Sequence, residues 1–256
     1  LTAFTALVLA GSRGGVDPVA DYAGVTHKGL IELGGRTLLR RVLEALDAAG
    51  ATRIGVVSND AAILAELSGI RLGTATVEPI AAAPSPSRSV RLGAETLGTP
   101  LLVTTVDHAL LEPAWVRQFI DDTPADADIA VLLAPEPLVR AAAPQTQRTY
   151  LRFRDGGYSG CNLFLLRTPH ALAAIDLWRT VEAHRKQPAR IARLLGPAML
   201  LGYGLRLLTL DGAIGMLARK VGAKAVAVRT RYGLAAVDVD KPSDLDLVRA
   251  IVGSAS

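Results

Sequence analysis

"ALVLAGSRGGVDPVADYAGVTHKGLIELGGRTLLRRVLEAL", residues Ala6 to Leu46, is the stretch on which the reading of the fold turns. An apolar run stops at Gly11, a loop rich in Gly, Ser and Arg follows, and beyond a lone Lys28 the pattern takes helical spacing. The run from Ala6 to Ala10 is aliphatic on both strand faces, as a strand covered by helices on both sides must be. The helical segment gathers Leu38, Leu39, Val42, Leu43 and Leu46 on one face and turns Arg40, Arg41 and Glu44 away. In open α/β sheets ligands collect where strand carboxyl ends meet helix N-termini. The first strand therefore delivers Gly11, Ser12, Arg13, Gly14 and Gly15 to such a place. Glycines let backbone N–H groups cradle phosphate oxygens. Arg13 adds a planar fork and Lys28 a point charge. The loop predicts a polyphosphate holder. It is neither of the two familiar ones, because Gly11 opens no G-x-G-x-x-G and Lys28 stands between His27 and Gly29.

The same alternation continues along the chain. Further strands are predicted at Arg53–Ser58, Thr74–Glu78, Leu101–Val106, Ile129–Ala134, Cys161–Arg167 and Lys224–Thr230. Amphipathic helices are predicted over Ala61–Leu67, Arg88–Leu97, Pro113–Asp121, Pro169–His184 and Pro242–Val252. This is an α/β layered fold with a mostly parallel sheet. Ala81–Ser89 and Ala134–Gln147 read as loops, and "LLGPAMLLGYGL" (Leu194 to Leu205) reads as a buried helix, with membrane-surface contact as the lesser alternative. No repeat or convincing linker appears, so residues 1–256 read as one domain. Residues 1–110 form mainly a nucleotide-binding half and 111–256 mainly an acceptor-side half.

Composition narrows the function. Of the 256 residues, 50% are apolar and 20% charged, as in ordinary globular enzymes. The net charge of +4 is spread rather than gathered, and only 4% of residues are aromatic, which leaves few stacking platforms for nucleic acid. No segment has the length of a membrane span, so stable membrane insertion is not expected. The first residues lack the features of a signal peptide. The single Cys161 excludes an internal disulfide and points to a cytoplasmic protein with a buried, inert thiol.

Two more stations carry chemistry. "LLVTTVDHALLEPAWV" ends a buried strand in Asp107, and one carboxylate there is what Mg²⁺ on phosphates takes from a protein. Asp107 also reads as a cap of the following turn. In "AAVDVDKPSDLDLVRAIV", Asp238 and Asp240 alternate, so their side chains face opposite ways and one of the two can meet a given metal. Asp244 and Asp246 read as helix-start residues. Arg185, Lys186 and Arg190 either meet an anionic acceptor or form a solvated basic face.

Taken in order, these stations resemble the nucleotidyltransferases of the molybdenum-cofactor guanylyltransferase-like superfamily, related to the methylerythritol-phosphate cytidylyltransferases. The resemblance is most specific at "LVLAGSRGG…HKGLIELGGRTLLRRVLEAL" and fair at "VTTVDHALL" and "VDVDKPSDL". It implies a Rossmann-like, glycosyltransferase-A type fold with a mixed, mostly parallel sheet. It implies that Ala10, Gly11, Ser12 and Arg13 hold a nucleoside triphosphate, with Lys28 on its phosphates and Arg13 and Lys28 catalytic. Asp107 and Asp240 match the family's metal ligands, for Mg²⁺. "SRSVRLG" is similar to the segment that reads the base, placing Arg88 and Ser89 beside it, with CTP preferred to GTP. "YSGCNLFLL" is similar to the acceptor stretch, with Gly160 and Asn162 as contacts beside Lys186. Three departures stand out: Ser12 replaces the family's second glycine, the path from the loop to Lys28 is lengthened, and the segment His184 to Gly222 is unlike the best-known subfamilies and is expected to shape an unusual acceptor site.

The implied reaction is transfer of NMP from an NTP to a phosphorylated acceptor with release of pyrophosphate. An acceptor phosphate has its second pKa at about 6 and needs no general base. Two rivals remain: a sugar-nucleotide glycosyltransferase, for which "VDHA" supplies only one acid, and a non-catalytic nucleotide-binding protein. A nicotinamide oxidoreductase is disfavoured by the missing glycine fingerprint.

Overall fold

The structure is a computed structural model that describes residues 3–12, 14–184 and 187–254. Arg13, Arg185 and Lys186 therefore lie outside the described residues. The strands are β1 (Phe4–Leu9), β2 (Glu32–Leu33), β3 (Arg36–Thr37), β4 (Ala51–Val57), β5 (Thr76–Ile80), β6 (Leu101–Thr105), β7 (Ile129–Pro135), β8 (Leu151–Phe153), β9 (Gly156–Leu166) and β10 (Ala225–Arg229). The helices are α1 (Pro18–Tyr22), α2 (Leu38–Ala49), α3 (Ala61–Gly69), α4 (Pro86–Leu97), α5 (Pro113–Asp122), α6 (Glu136–Ala142), α7 (Ala171–Ala183), α8 (Pro188–Leu195), α9 (Pro197–Gly204), α10 (Leu210–Val221) and α11 (Pro242–Ser254).

The main sheet runs in the order β10-β7-β9-β6-β1-β4-β5, with β8 paired to β9. β1 is parallel to both β4 and β6, β4 to β5, and β7 to β10. β9 alone in this row runs antiparallel, between β6 and β7. This is the mixed α/β architecture with a mostly parallel sheet that the sequence implied.

Strand alternation explains the two cores. On β1, Ala6 and Val8 face a large cluster that includes Leu39, Leu43 and Phe119, whereas Leu7 faces a second cluster with Val90, Leu101 and Ile175. Helices thus cover both faces, and alternation in the sequence vanishes because neither face meets water. α2 is set by its ends: the Thr37 hydroxyl accepts from the Arg40 N–H at 3.2 Å, and Gly50, at φ 107°, ends the helix. α4 lies close to β1 because Gly93 has no side chain; a Cβ there would come within 2.5 Å of the Leu7 side chain.

Three readings are corrected. Residues 134–147 are not a continuous loop, since α6 occupies Glu136–Ala142. Pro137 sits in the first turn, where a missing N–H costs nothing, and the Ala-rich remainder has high helix propensity. Leu194–Leu205 is not one buried helix: Gly196, at φ 87°, and Pro197 break it between α8 and α9, and Leu201 and Leu205 are exposed. Ala81–Ser89 is a loop only as far as Ser85, where α4 begins. Among the described residues no helix is long and apolar enough to cross a membrane.

Candidate active site

The first strand hands over to a buried histidine. The Ala10 N–H donates to the Val57 carbonyl at 2.9 Å, which ties the end of β1 to β4. The His27 ring hydrogen-bonds the Ala10 backbone and accepts the Gly29 N–H on Nδ1 at 2.9 Å. Burial pulls His27 below the ordinary imidazole value, against the pull of Asp60, so the ring is a neutral brace. It holds a short 3₁₀ turn, Lys28–Leu30, against the end of β6. A side chain at position 29 would meet Ile63 Cδ1 at 2.9 Å and Val106 Cγ2 at 3.0 Å, so glycine lets the turn seat deeply without displacing these side chains.

Lys28 then reaches the tip of β6. Its ammonium donates to Asp107 Oδ2, while Thr105 Oγ1 donates to Asp107 Oδ1. Asp240 Oδ1 lies 4.0 Å from the same ammonium. The Asp107 carbonyl accepts from the Val239 N–H at 3.0 Å, which fastens the C-terminal segment to the strand end. Asp244 sets the approach from the other side, its carboxylate accepting from the Asp240 and Lys241 N–H groups at 3.2 and 3.0 Å. Asp244 is thus a capping acid at the start of α11, as its spacing predicted.

Asp238 has different partners from Asp240, although residues 237–240 form no regular strand. Arg148 Nη1 donates to its Oδ1 and Asn162 Nδ2 to its Oδ2, the latter at 2.6 Å. Asn162 can reach it because β9 bulges: Val131 pairs with Phe164 and Leu133 with Gly160, so β9 spends two extra residues here, and Asn162 takes φ 49°. Asp107 and Asp240 share one cation, Lys28, so that pair of acids keeps an excess of one negative charge, while Asp238 is neutralised by Arg148. Burial would lower the Lys28 pKa, but Asp107 and then Asp240 raise it above the ordinary value, so the amine stays charged. Asp240 is raised by burial and then by Asp238 and Asp107, against Lys28 and Arg148. Hard oxygen donors with surplus negative charge suit a small divalent cation.

The predicted residues divide into two groups. Lys28, Asp107, Asp240 and Asn162 come together at the β6 end. Gly11 and Ser12 are exposed beside the loop after β5, with Ala82 Cβ 3.7 Å from where a Gly11 Cβ would stand. Asn59 latches that loop, exchanging two 2.9 Å hydrogen bonds with Ala82. Ser89 belongs to this second group, and its buried hydroxyl accepts from the Ala83 N–H at 3.0 Å, shaping the loop from within. Arg88 is exposed on the first turn of α4. Gly160 is exposed with open space about its missing side chain, opposite Leu133.

Residues 6–198 match the family model of the MobA-like NTP transferase domain. The chain belongs to the MobA-like NTP transferase family. It is accordingly a nucleotidyltransferase. Its fold is similar to a hypothetical transferase from Thermus thermophilus at 32% identity and TM-score 0.80, covering 95% of this chain and 100% of that one. It is also similar to a nucleotidyl transferase from Methanothermobacter at 19% identity and TM-score 0.58, over 98% of both chains. A 4-diphosphocytidyl-2C-methyl-D-erythritol synthase from Anaerococcus prevotii shares 12% identity at TM-score 0.58, over 97% of this chain and 95% of that one. These last two likenesses are of fold alone. No curated protein matches the chain at a significant level.

In this MobA-like chain, sequence reasoning missed Arg148, the His27 brace and the tight Gly29 turn. Arg148 lies in a loop with no periodicity and no charged neighbour, and nothing local marks it. Gly29 could have been found as a glycine directly after the key lysine. Two further reactive groups, Cys161 and His108, are sealed away. Cys161 is buried and its thiol is pushed up by burial. His108 is 1% exposed, and burial pushes it down to about 4 despite Asp238 and Asp107 nearby.

Proposed function

We propose that this nucleotidyltransferase moves an NMP from an NTP, CTP in preference to GTP, to a phosphorylated small-molecule acceptor, with release of pyrophosphate. The reading rests on one observation: a single lysine ammonium lies between carboxylates from the end of β6 and from the segment that leads into α11, bonded to Asp107 and 4.0 Å from Asp240. In this reading the half up to residue 110 binds the nucleotide, and residues 111–256 bind the acceptor and supply the second acid. The preference for CTP rests on the "SRSV" segment around Arg88 and Ser89.

Asp107 and Asp240 are the residues that would hold Mg²⁺, and the surplus negative charge of their cluster supports that fit. When bound there, Mg²⁺ supplies neutralisation of phosphate charge. The chain's own residues do the rest. Lys28, kept charged by the two carboxylates, exchanges them for phosphate oxygens when the triphosphate enters. Arg13 works beside it from the glycine loop. The backbone of Ala10, Gly11 and Ser12 cradles the phosphates, and Arg88 lies at the base. Asp238, held by Arg148, orients the Asn162 amide, and Asn162, Gly160 and Lys186 face the acceptor. An acceptor phosphate attacks as an anion, so no proton need be removed and no general base is required. Catalysis is positioning and charge stabilisation.

The test is pyrophosphate release from each of the four NTPs with Mg²⁺ and a panel of sugar, polyol, lipid-precursor and pterin phosphates. Turnover that needs both an NTP and a phosphorylated acceptor is the expected result. Silence for every pair, with NTP binding retained, would instead leave a non-catalytic nucleotide-binding protein.

A further inference from the structure

From Ala183 to Leu210 the chain carries five cations, Arg185, Lys186, Arg190, Arg193 and Arg206, and no acid. The described part of this segment folds as α8 and α9, and its cations have no acidic partner among the described residues. Its leucines break the burial rule: Leu201 is 68% exposed, Leu205 62% and Leu207 62%. Leu201 and Leu205 stand four residues apart, on one helical face. After Gly204 the chain doubles back, with the Leu207 N–H donating to the Gly202 carbonyl at 2.8 Å, so Leu207 joins the same region. Isolated exposed leucines need no explanation, but three of them in a segment whose arginines Arg190, Arg193 and Arg206 are also exposed and form no ion pair among the described residues do.

The segment is not a frayed end. Tyr203 stacks edge-on against Phe153 of β8 at 5.4 Å, and its hydroxyl accepts from the Arg152 N–H at 3.3 Å. A side chain at Gly202 would meet Leu208 at 2.9 Å. The helices are thus anchored on their inner side while the outer side stays apolar and basic.

We propose that the α8–α9 face docks on an anionic lipid bilayer, leucines in the headgroup boundary and arginines on the phosphates. Amphipathic helices with leucine on one face and arginine on the other bind membrane interfaces in this way. Charge selects this occupant over a second copy: a symmetric contact would set Arg190, Arg193 and Arg206 against their own copies. The docking requires no spanning helix, and it does not depend on which nucleotide or acceptor the enzyme uses.

The experiment is co-sedimentation of the full chain with vesicles of phosphatidylcholine alone or mixed with phosphatidylglycerol. Binding is expected only to the mixed vesicles, falling steeply between about 0.05 and 0.5 M salt as screening shortens. Each arginine near an anionic surface contributes about fivefold in partitioning, so Arg190→Glu/Arg193→Glu should weaken binding by about 25-fold or more. Leu201→Glu/Leu205→Glu should abolish it. Both sites are exposed, so unchanged melting temperatures identify these as binding defects. A full chain that stays in solution with anionic vesicles at low salt overturns the proposal. So does equal binding to neutral vesicles, or a dimer in solution that Leu201→Glu dissolves without any vesicle binding.

Discussion

The tip of β6 and the α8–α9 face break the burial rule in opposite directions. At the first, charges are buried; at the second, leucines are exposed. The difference lies in what each region finds within the chain. Asp107 finds Lys28 and Thr105, and Asp238 finds Arg148 and Asn162, so their desolvation is compensated locally. Leu201, Leu205 and Leu207 find nothing, because the inner side of α9 is already occupied by Phe153 and Leu208. Rule-breaking residues mark functional regions because they sacrifice stability that an ordinary residue would supply. A buried charge cluster points inward to chemistry, whereas an exposed apolar face points outward to a surface.

The comparison breaks first at Lys28. Lys28→Ala should lower kcat/KM for pyrophosphate release by about 10²–10³, as loss of a charge-stabilising group does, while circular dichroism stays unchanged. An active variant would mean that the cluster is structural only. Arg148→Ala leaves the buried Asp238 carboxylate with Asn162 alone and should cost about 3 kcal/mol in urea unfolding. Adding Asp238→Asn should restore most of it, because the uncompensated charge is then gone. Leucines sharpen the contrast. Leu7→Ala, in the core under α4, should cost about 3 kcal/mol, whereas Leu201→Ala should stay within about 0.5 kcal/mol.

The smallest effect belongs to Asp47 at the end of α2. Partial burial raises its pKa, but hydrogen bonds from Ala75, Thr74 and Gly73 hold it below the ordinary carboxylate value. The folded form binds its proton less readily than the unfolded form. Its contribution is therefore complete above the unfolded pKa and is lost as pH falls through the folded one. Asp47→Asn should cost about 1 kcal/mol near neutrality, limited by solvent screening, and the difference from wild type should close in acid.

The strands were legible because burial on both faces leaves short aliphatic runs that nothing else in the chain imitates. Helices such as α2 and α11 were legible from periodicity and their capping residues. The Gly34-Gly35 pair, at φ 61° and 72°, signals the β2–β3 hairpin in the sequence and was passed over. α6 was hidden by its flanking prolines, which read as loop although Pro137 fits a first turn. Lys28, Asp107 and Asp240 were nameable from strand ends and from resemblance, but Arg148 was not, since its only distinguishing feature is a partner 90 residues away.

By itself, then, the sequence determined the long strands of the main sheet, the amphipathic helices α2, α3, α4, α5, α7 and α11, and the charged residue at the end of β6, because these follow from local period and residue type. Only the tertiary structure decided that Arg148 meets Asp238, that a bulge in β9 brings Asn162 to the same carboxylate, and that the leucines of α9 face outward. Those outcomes depend on how β9 runs antiparallel between β6 and β7 and on which face β8 had already covered. Local pattern records whether a residue is apolar or charged. It does not record which distant residue arrives to meet it.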